Sequence, residues 1–412
     1  MPRIQPFSAL KPKAKLQNSI VTRPLENYSL GEARLIASEN PYSFLHLINP
    51  ELDNPYLRGS RQELIYKKVA ENLETFIESN ILKAEEEPAI YIYRVQHDGI
   101  TQTGIWTLTH INDYLNGCIK KHELTVERRE KALSEYLQQT GLDANPVLIT
   151  YQPVAKIDRL IAKYQLLKPD VDFVFADGTQ HQLWTIKAQA DLEMLIQAFA
   201  EITTVYIADG HHRIAAMAKM VHHKRVLTAG NEKAKFNYFS TAYFNTEQVK
   251  VLAFNRLIKD LGRLTIPQFF NALEKSFDLL KVNEPFKPET MHQIGMYLNS
   301  EWYQLTAKPH IYDEHNPISV LDVSILQDHI LKPILKIEDP RTDARITFEG
   351  GKTPIIMLQK LVDSGNYMVA FTLFPTSIEQ LMAVADIDGV MPPKSTWVEP
   401  KFLVGMLTNY FV

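Results

Sequence analysis

The sequence predicts a mixed α/β (α+β) fold, and three observations predict it. Segments of helical period and segments of strand period alternate along the 412 residues. The stretch "DFVFADGTQHQLWTI" (172–186) places two β-rich runs around Asp-Gly, a strong hairpin signal. The stretch "VYIADGHHRIAAM" (205–217) hands an apolar run through Asp-Gly to a helical pattern.

In order, residues 1–40 begin as loop, and "GEARLIASEN" reads as a short helix. "PYSFLHLINPE" (41–51) reads as a buried strand followed by a turn, because its apolar residues are continuous. Residues 61–82 read as a helix, with Leu64, Val69, Leu73 and Ile77 close to helical spacing. "AIYIYRVQHDG" (89–99) is aromatic and β-branched with a turn at its end, and "TQTGIWTLTHI" is its returning strand. Residues 120–141 become helical after the first few, with a stripe of Ala132, Leu133, Tyr136 and Leu137, and Gly141 ends the helix. "ADLEMLIQAFAEI" is a helix, "TTVYIAD" a strand, 211–225 a helix and "FNYFSTAYF" a buried strand.

From 246 to 305 helical patterns dominate, clearest in "LIKDLGRLTIPQFFNALEKSF". "SVLDVSILQDHILKPIL" is a further helix stopped by Pro333. "IIMLQKLVDSG", "NYMVAFTLFP" and "SIEQLMAVADIDG" read helix, strand, helix. The tail from Val390 is irregular first and apolar later.

Hydrophobic residues make up 45% and charged residues 22%, ordinary for a soluble globular chain of two or three domains. A formal net charge of -4 argues against unspecific coating of nucleic acid or membrane, which needs many cationic contacts. Cys118 is the one cysteine, so the chain builds neither an internal disulfide nor a cysteine zinc site. The N-terminus shows no secretory pattern, and no run of about 18 apolar residues occurs. The expected location is cytoplasmic.

The stretch 205–217 carries the chemistry. Strand, Asp-Gly turn and helix aim backbone N–H groups at an anion. Gly210 allows the turn and a close ligand approach. Ile214, Met217, Ala218 and Val221 form one buried face, with His211 at its edge and His212 and Arg213 pointing elsewhere. Cations at a helix N-terminus are unfavourable by about 0.3–1 kcal/mol each. Between Gly210 and Asn231 there is no acidic residue, while Arg213, Lys219, Lys224 and Arg225 are cationic. Such a segment needs a compensating anion, and phosphate is the natural one. The other reading makes Asp209 an ordinary N-cap and both histidines partly buried, satisfied residues.

His211 and His222 are eleven positions apart, about 16 Å on a helix, and cannot share an ion. Asp209, with one histidine or a phosphate oxygen, is the expected Mg2+ ligand. "FEGGKT" (348–353) lacks the earlier glycine of a P-loop, since Ile346 stands there. No G-x-S-x-G elbow or H-E-x-x-H helix occurs.

"DGHHR" after a strand resembles the signature of free serine kinases in the ParB/sulfiredoxin-like superfamily, whose upstream "K-P-H-E" glutamate acts as base. The matching segment here is "KKHE", Lys120 to Glu123. From "IQPFSALKP" through "NPYSFLHLINPE", "GCIKKHELT", "ADGHHRIAAM" and "LDVSILQDHIL" to "MPPKSTWVEPKFLVGML", the chain resembles the prokaryotic family named domain of unknown function 1015. The resemblance implies a ParB/sulfiredoxin-like core over 106–245, with N- and C-terminal α/β regions over 1–105 and 246–412. Sulfiredoxin chemistry needs a cysteine where His211 stands, and ParB clamps carry G-E-R-R where this chain has Gly-His-His-Arg.

The function implied is transfer of a phosphate from ATP or ADP, with Mg2+, to a small hydroxyl metabolite, free serine by analogy. Asp209, Gly210, His211, His212, Arg213 and Lys121 would bind phosphate or nucleotide. His211 or His212 would donate to the transferring group, and Glu123 would take the hydroxyl proton. Glu123 also suits a helix-capping role. Lys394, Ser395 and Thr396 would either reach the site or form a structural turn anchored by Trp397. Two rival functions are a nucleotide- or phospho-ligand-binding regulator without chemistry, and a ParB-like nuclease.

Overall fold

The structure, a computed structural model, describes residues 1–52, 62–228 and 230–411. The chain forms two compact units. The first comprises Met1–Lys120, Thr125–Val249 and Pro400–Val412, and the second Lys121–Leu124 and Lys250–Glu399. The border expected at 105/106 falls inside the strand Ile100–His110. The expected C-terminal region gives Pro400–Val412 to the first unit.

The first unit is built on a nine-stranded mixed sheet. Its strands run in the order Ile119–Lys120, Val205–Asp209, Val147–Tyr151, Tyr238–Asn245, Ile100–His110, Ile90–His97, Gln180–Ile186, Val171–Val174, with Ile4–Gln5 also on Ile100–His110. The pairs Val205–Asp209 with Ile119–Lys120 and Tyr238–Asn245 with Val147–Tyr151 are parallel; the rest are antiparallel. The run Ile90-Tyr91-Ile92-Tyr93 shows why both faces are covered, since alternate residues point to opposite sides. Ile90 and Ile92 join the core under the helices Glu127–Thr140, Ala155–Gln165, Gln189–Ala200 and His211–Leu227. Tyr93 packs with Trp106 and Phe244, and Phe402 of the C-terminal segment joins them.

The second unit holds a six-stranded antiparallel sheet in the order Phe277–Val282, Glu301–Ala307, Gln293–Leu298, Val369–Leu373, Phe254–Ile258, Ile346–Gly350. The helix Ile355–Asp363 buries Leu358 and Val362 in a cluster with Leu257 and Tyr297.

Four sequence expectations need correction. Residues 41–51 form no strand: Leu45–Ile48 is a short helix and Pro50–Leu52 a 3-10 turn. Phe44, Leu45 and Leu47 are all buried, so this helix shows no polar face and reads as a continuous apolar run. In the stretch 246–305 strand residues outnumber helical ones, and only Ile266–Leu273 of its clearest expected helix is α-helical. Thr265 and Gln268 cap that helix reciprocally. Phe254–Ile258 is instead a central strand between two distant partners, Val369–Leu373 and Ile346–Gly350.

The helix expected over 61–82 runs Gln62–Glu78; Arg61 lies outside the described residues. It buries Val69, Leu73 and Phe76, while Leu64 and Ile77 are exposed. In Glu127–Thr140 the inward residues are Glu130, Ser134, Leu137 and Thr140, while Ala132 and Leu133 face out.

Candidate phosphate site

The strand Val205–Asp209 shifts register against Val147–Tyr151 between Ile207 and Asp209. Such a bulge re-aims the residues that follow it. Gly210 then takes φ +103° and serves as the N-cap of the helix His211–Leu227, which receives no side-chain cap. A Cβ at Gly210 would sit 2.9 Å from the Arg213 guanidinium. The glycine therefore gives Arg213 room to lie across the turn.

Arg213 is clamped. Its Nη1 donates to Asn145 Oδ1 and to the Pro146 carbonyl, each at 2.5 Å. Its Nη2 lies 3.5 Å from Asp209 Oδ2. The same Asp209 oxygen accepts from Lys401 Nζ at 3.0 Å. Burial opposes ionisation of Asp209, but Lys401 first and Arg213 next outweigh it and hold the carboxyl well below the usual range. Asp143 stands near Arg213. Burial pushes its carboxyl up to about 7, although it accepts the Ser240 N–H at 2.6 Å.

His211 is buried on the inward face with Ile214, Met217 and Val221; Ala216 and Met220 complete that face, and Ala218 is half-buried. His212 Nε2 accepts the Val126 N–H at 3.0 Å. An accepting ring nitrogen carries no proton, so the neutral His212 proton sits on Nδ1. Val126 is the N-cap of Glu127–Thr140, and its own side chain makes no cap. The His212 ring therefore does for that N-cap what a glutamate does in a capping box.

The cations along the helix already have partners in the first unit. Lys219 pairs with Glu130 at 2.5 Å, Arg225 donates to Asn237 at 2.7 Å, and Lys224 lies over the Phe236 and Phe411 rings. The anion expected to balance this basic segment is thus supplied in part by Glu130 and Asp209, which lie outside the stretch 210–231. Mg2+ on Asp209 does not fit, because Lys401 and Arg213 already flank the carboxylate. Among the described residues, no three His, Cys, Asp or Glu side chains gather to hold a metal ion.

The other predicted residues belong to the second unit. Lys121 is exposed and Glu123 half-buried. Glu123 lines a cavity of about 270 Å³ with Gln327, Arg341 and Met391. The Met391 N–H donates to the His122 carbonyl at 2.9 Å, which fixes the segment that carries Glu123. Arg341 grips Asp339 through Nε and Nη2 at 2.9 and 2.8 Å. Lys394 lies in a turn with Pro393, and Ser395 and Thr396 follow it. Ser395 Oγ donates to the Pro392 carbonyl at 2.6 Å, buried Arg256 donates to the Lys394 carbonyl at 2.9 Å, and Lys394 Nζ lies 5.3 Å from the Phe254 ring centre.

Sequence reasoning missed Lys401, Asn145 and Arg256. Lys401 stands inside "MPPKSTWVEPKFLVGML", but no local pattern ties it to a carboxylate 192 positions away.

A family model matches residues 4–324, most of the chain. The chain belongs to that family, described as "Protein of unknown function (DUF1015)". Several solved structures are similar at low level. A free serine kinase variant in complex with AMP aligns over 73% of this chain and 92% of its own, at 12% identity and TM-score 0.38. Another variant of that kinase is in complex with ADP. A conserved hypothetical protein from Pyrococcus furiosus aligns over 72% of this chain and 91% of its own, at 13% identity and TM-score 0.35. SbnI with a C-terminal truncation, from Staphylococcus aureus, aligns over 71% and 82%, at 12% identity and TM-score 0.35. Likenesses of this size say nothing of chemistry. No curated protein matches. No helix among the described residues is long and apolar enough to cross a membrane.

Proposed function

We propose that this chain is a phosphotransferase that moves a phosphate from ATP or ADP to a small hydroxyl metabolite, with the turn Asp209–Arg213 as its phosphate site. One observation carries the reading. The carboxylate of the turn meets two cations, Arg213 and Lys401, at a helix start with no side-chain cap. Both cations stand beside a helix start, where the helix dipole is also positive, an arrangement that favours an anion.

Phosphoryl transfer asks a protein mainly for positioning and charge stabilisation. Arg213, held by Asn145 and Pro146, is pre-set as a donor to phosphate oxygens. His211 and the Nδ1–H of His212 would donate to the transferring group. Asp209 serves as a partner for Arg213 and Lys401, and this reading gives it no metal.

Glu123 is the proposed base, on the resemblance of Lys120–Glu123 to the kinase motif. In the chain it stands three residues after Lys120, which pairs with Tyr206, and three before Val126, which bonds His212. Free serine is the acceptor suggested by that resemblance. The net charge of -4 disfavours the nuclease reading. The site would work in the cytoplasm, where both nucleotides and small hydroxyl metabolites occur.

The test is nucleotide consumption by the pure protein with Mg2+, read by phosphorus NMR. ATP and ADP are supplied separately, first with L-serine and then with a pool of hydroxyl metabolites. A new phosphomonoester signal is expected. Glu123→Gln should lower turnover by roughly 10²–10⁴-fold with nucleotide affinity nearly unchanged, and Arg213→Ala should weaken nucleotide binding. Bound but unconsumed nucleotide would replace the kinase by a regulator. Near-normal turnover in Glu123→Gln would remove the base assignment.

A further inference from the structure

We infer that His110 is a pH-sensitive tie for the N-terminal segment: the neutral ring holds Arg3 in place, and protonation of its Nδ1 releases residues 3–5 from the strand Ile100–His110.

His110 ends that strand and is 4% exposed. Its Nδ1 lies 3.0 Å from Arg3 Nη2 and 3.2 Å from the Asn112 backbone nitrogen. A guanidinium and a backbone amide only donate, so this ring nitrogen accepts twice and carries no proton. The proton of the neutral ring therefore sits on Nε2. Buried Asp113 grips the same arginine, accepting the Arg3 backbone N–H at 2.6 Å and Nε at 2.9 Å. The His110 N–H in turn donates to the Arg3 carbonyl at 3.0 Å. The strand that follows, Ile4–Gln5, has only two residues, paired with Thr109 and Leu108. So short a ladder gains much of its hold from the bonds at Arg3.

A proton on Nδ1 sets a third N–H against these two donors and turns both contacts repulsive. Burial is the largest influence on the ring and opposes its charged form. Arg3 opposes it next, and Arg225 of the helix His211–Leu227 adds to that. Asp113 and the Glu232 backbone favour it, and Tyr238 lies edge-on with its ring centre 4.8 Å away. The balance lowers the ring's pKa below its ordinary 6.5. With residues 3–5 lifted away the ring meets water and loses Arg3, so the released form binds the proton more tightly. The tie is therefore complete above pH 6.5 and weakens as pH falls from there toward the lowered value.

The experiment is hydrogen exchange of the full chain at about pH 7.5 and 5.5, on either side of the ordinary histidine value. Each measurement is corrected for the intrinsic rate at that pH, and peptides covering residues 2–8 are read by mass spectrometry. Below pH 6.5 the opening of this segment should rise by up to about tenfold per pH unit. Peptides from the strand Ile90–His97 should show no such rise, which separates local release from loss of the fold. In His110→Asn an amide oxygen replaces Nδ1 as acceptor and does not titrate, so exchange should stay slow at both pH values. In Arg3→Met it should be fast at both. Corrected exchange of residues 2–8 that is the same at both pH values in the wild type would overturn the inference. So would an acid-induced rise that persists in His110→Asn or runs equally through residues 90–97. Imidazole nitrogen shifts of the wild type, by NMR, need no variant: Nδ1 should be unprotonated near neutral pH, and a proton found there would also overturn it.

Discussion

At Gly210 the backbone takes φ +103°, a conformation that costs other residues free energy, and the space a Cβ would need is filled by the Arg213 guanidinium. Sequence reasoning expected this glycine to let a ligand near the backbone. In the structure the side chain nearest that backbone is Arg213. Gly210→Ala should therefore do two kinds of damage. The strained backbone should cost about 1–3 kcal/mol in denaturant unfolding. The displaced guanidinium should lose its bonds to Asn145 and Pro146 and weaken ADP binding in the same variant. Full ADP affinity in a destabilised Gly210→Ala would show that Arg213's placement does not matter to the ligand.

At the scale of elements, the two helices His211–Leu227 and Glu127–Thr140 are joined at their starts. His212 on the first accepts the N–H of Val126, the N-cap of the second. Lys219 on the first pairs with Glu130 on the second, and Thr125 also donates to Glu130. A residue expected to face phosphate thus also ends a neighbouring helix. His212→Ala should cost about 1 kcal/mol of stability, the usual size of a lost N-terminal cap, measured by urea unfolding. Amide exchange should quicken first at Val126 and the turn after it. Unchanged exchange there would show that the ring is not a cap. The strands Gln293–Leu298 and Glu301–Ala307 illustrate a missed element. Their turn, Asn299-Ser300, has φ +53° and +61°, the two positive values of a type I′ hairpin. Serine in place of the usual glycine hid that signal.

At the scale of the molecule, acid stability depends on a buried histidine in the first unit. His181 is 2% exposed, stacks on Phe173 and Tyr93, and bonds the Tyr93 hydroxyl at 2.6 Å. Burial lowers its pKa to about 4. The unfolded value is near 6.5, so the folded state disfavours the proton. This contribution is complete above pH 6.5 and is lost as pH falls toward 4. Between pH 7 and 4.5 the wild type should lose about 2–3 kcal/mol more than His181→Phe does. Equal losses in urea unfolding at the two pH values would show that His181 is not the titrating group.

The sequence by itself determined what depends on neighbours a few positions away. The alternation of isoleucine and tyrosine at 90–93, the Asp-Gly hairpin at 177–178 and the handover from strand to helix at 209–211 are each written in adjacent residues, and each is present in the fold. Tertiary structure decided what depends on distant partners. Phe254–Ile258 became a strand because two other strands flank it, and the helix at 45–48 was read as a strand because burial on all sides hid its period. The sequence marked Asp209 as a candidate, but not its ion-pair partners. A carboxylate becomes a metal ligand or an ion-pair partner according to which charges the fold brings to it, and here the fold brought Lys401. Periodicity reports which side of an element is buried; it carries no record of the residue across the gap.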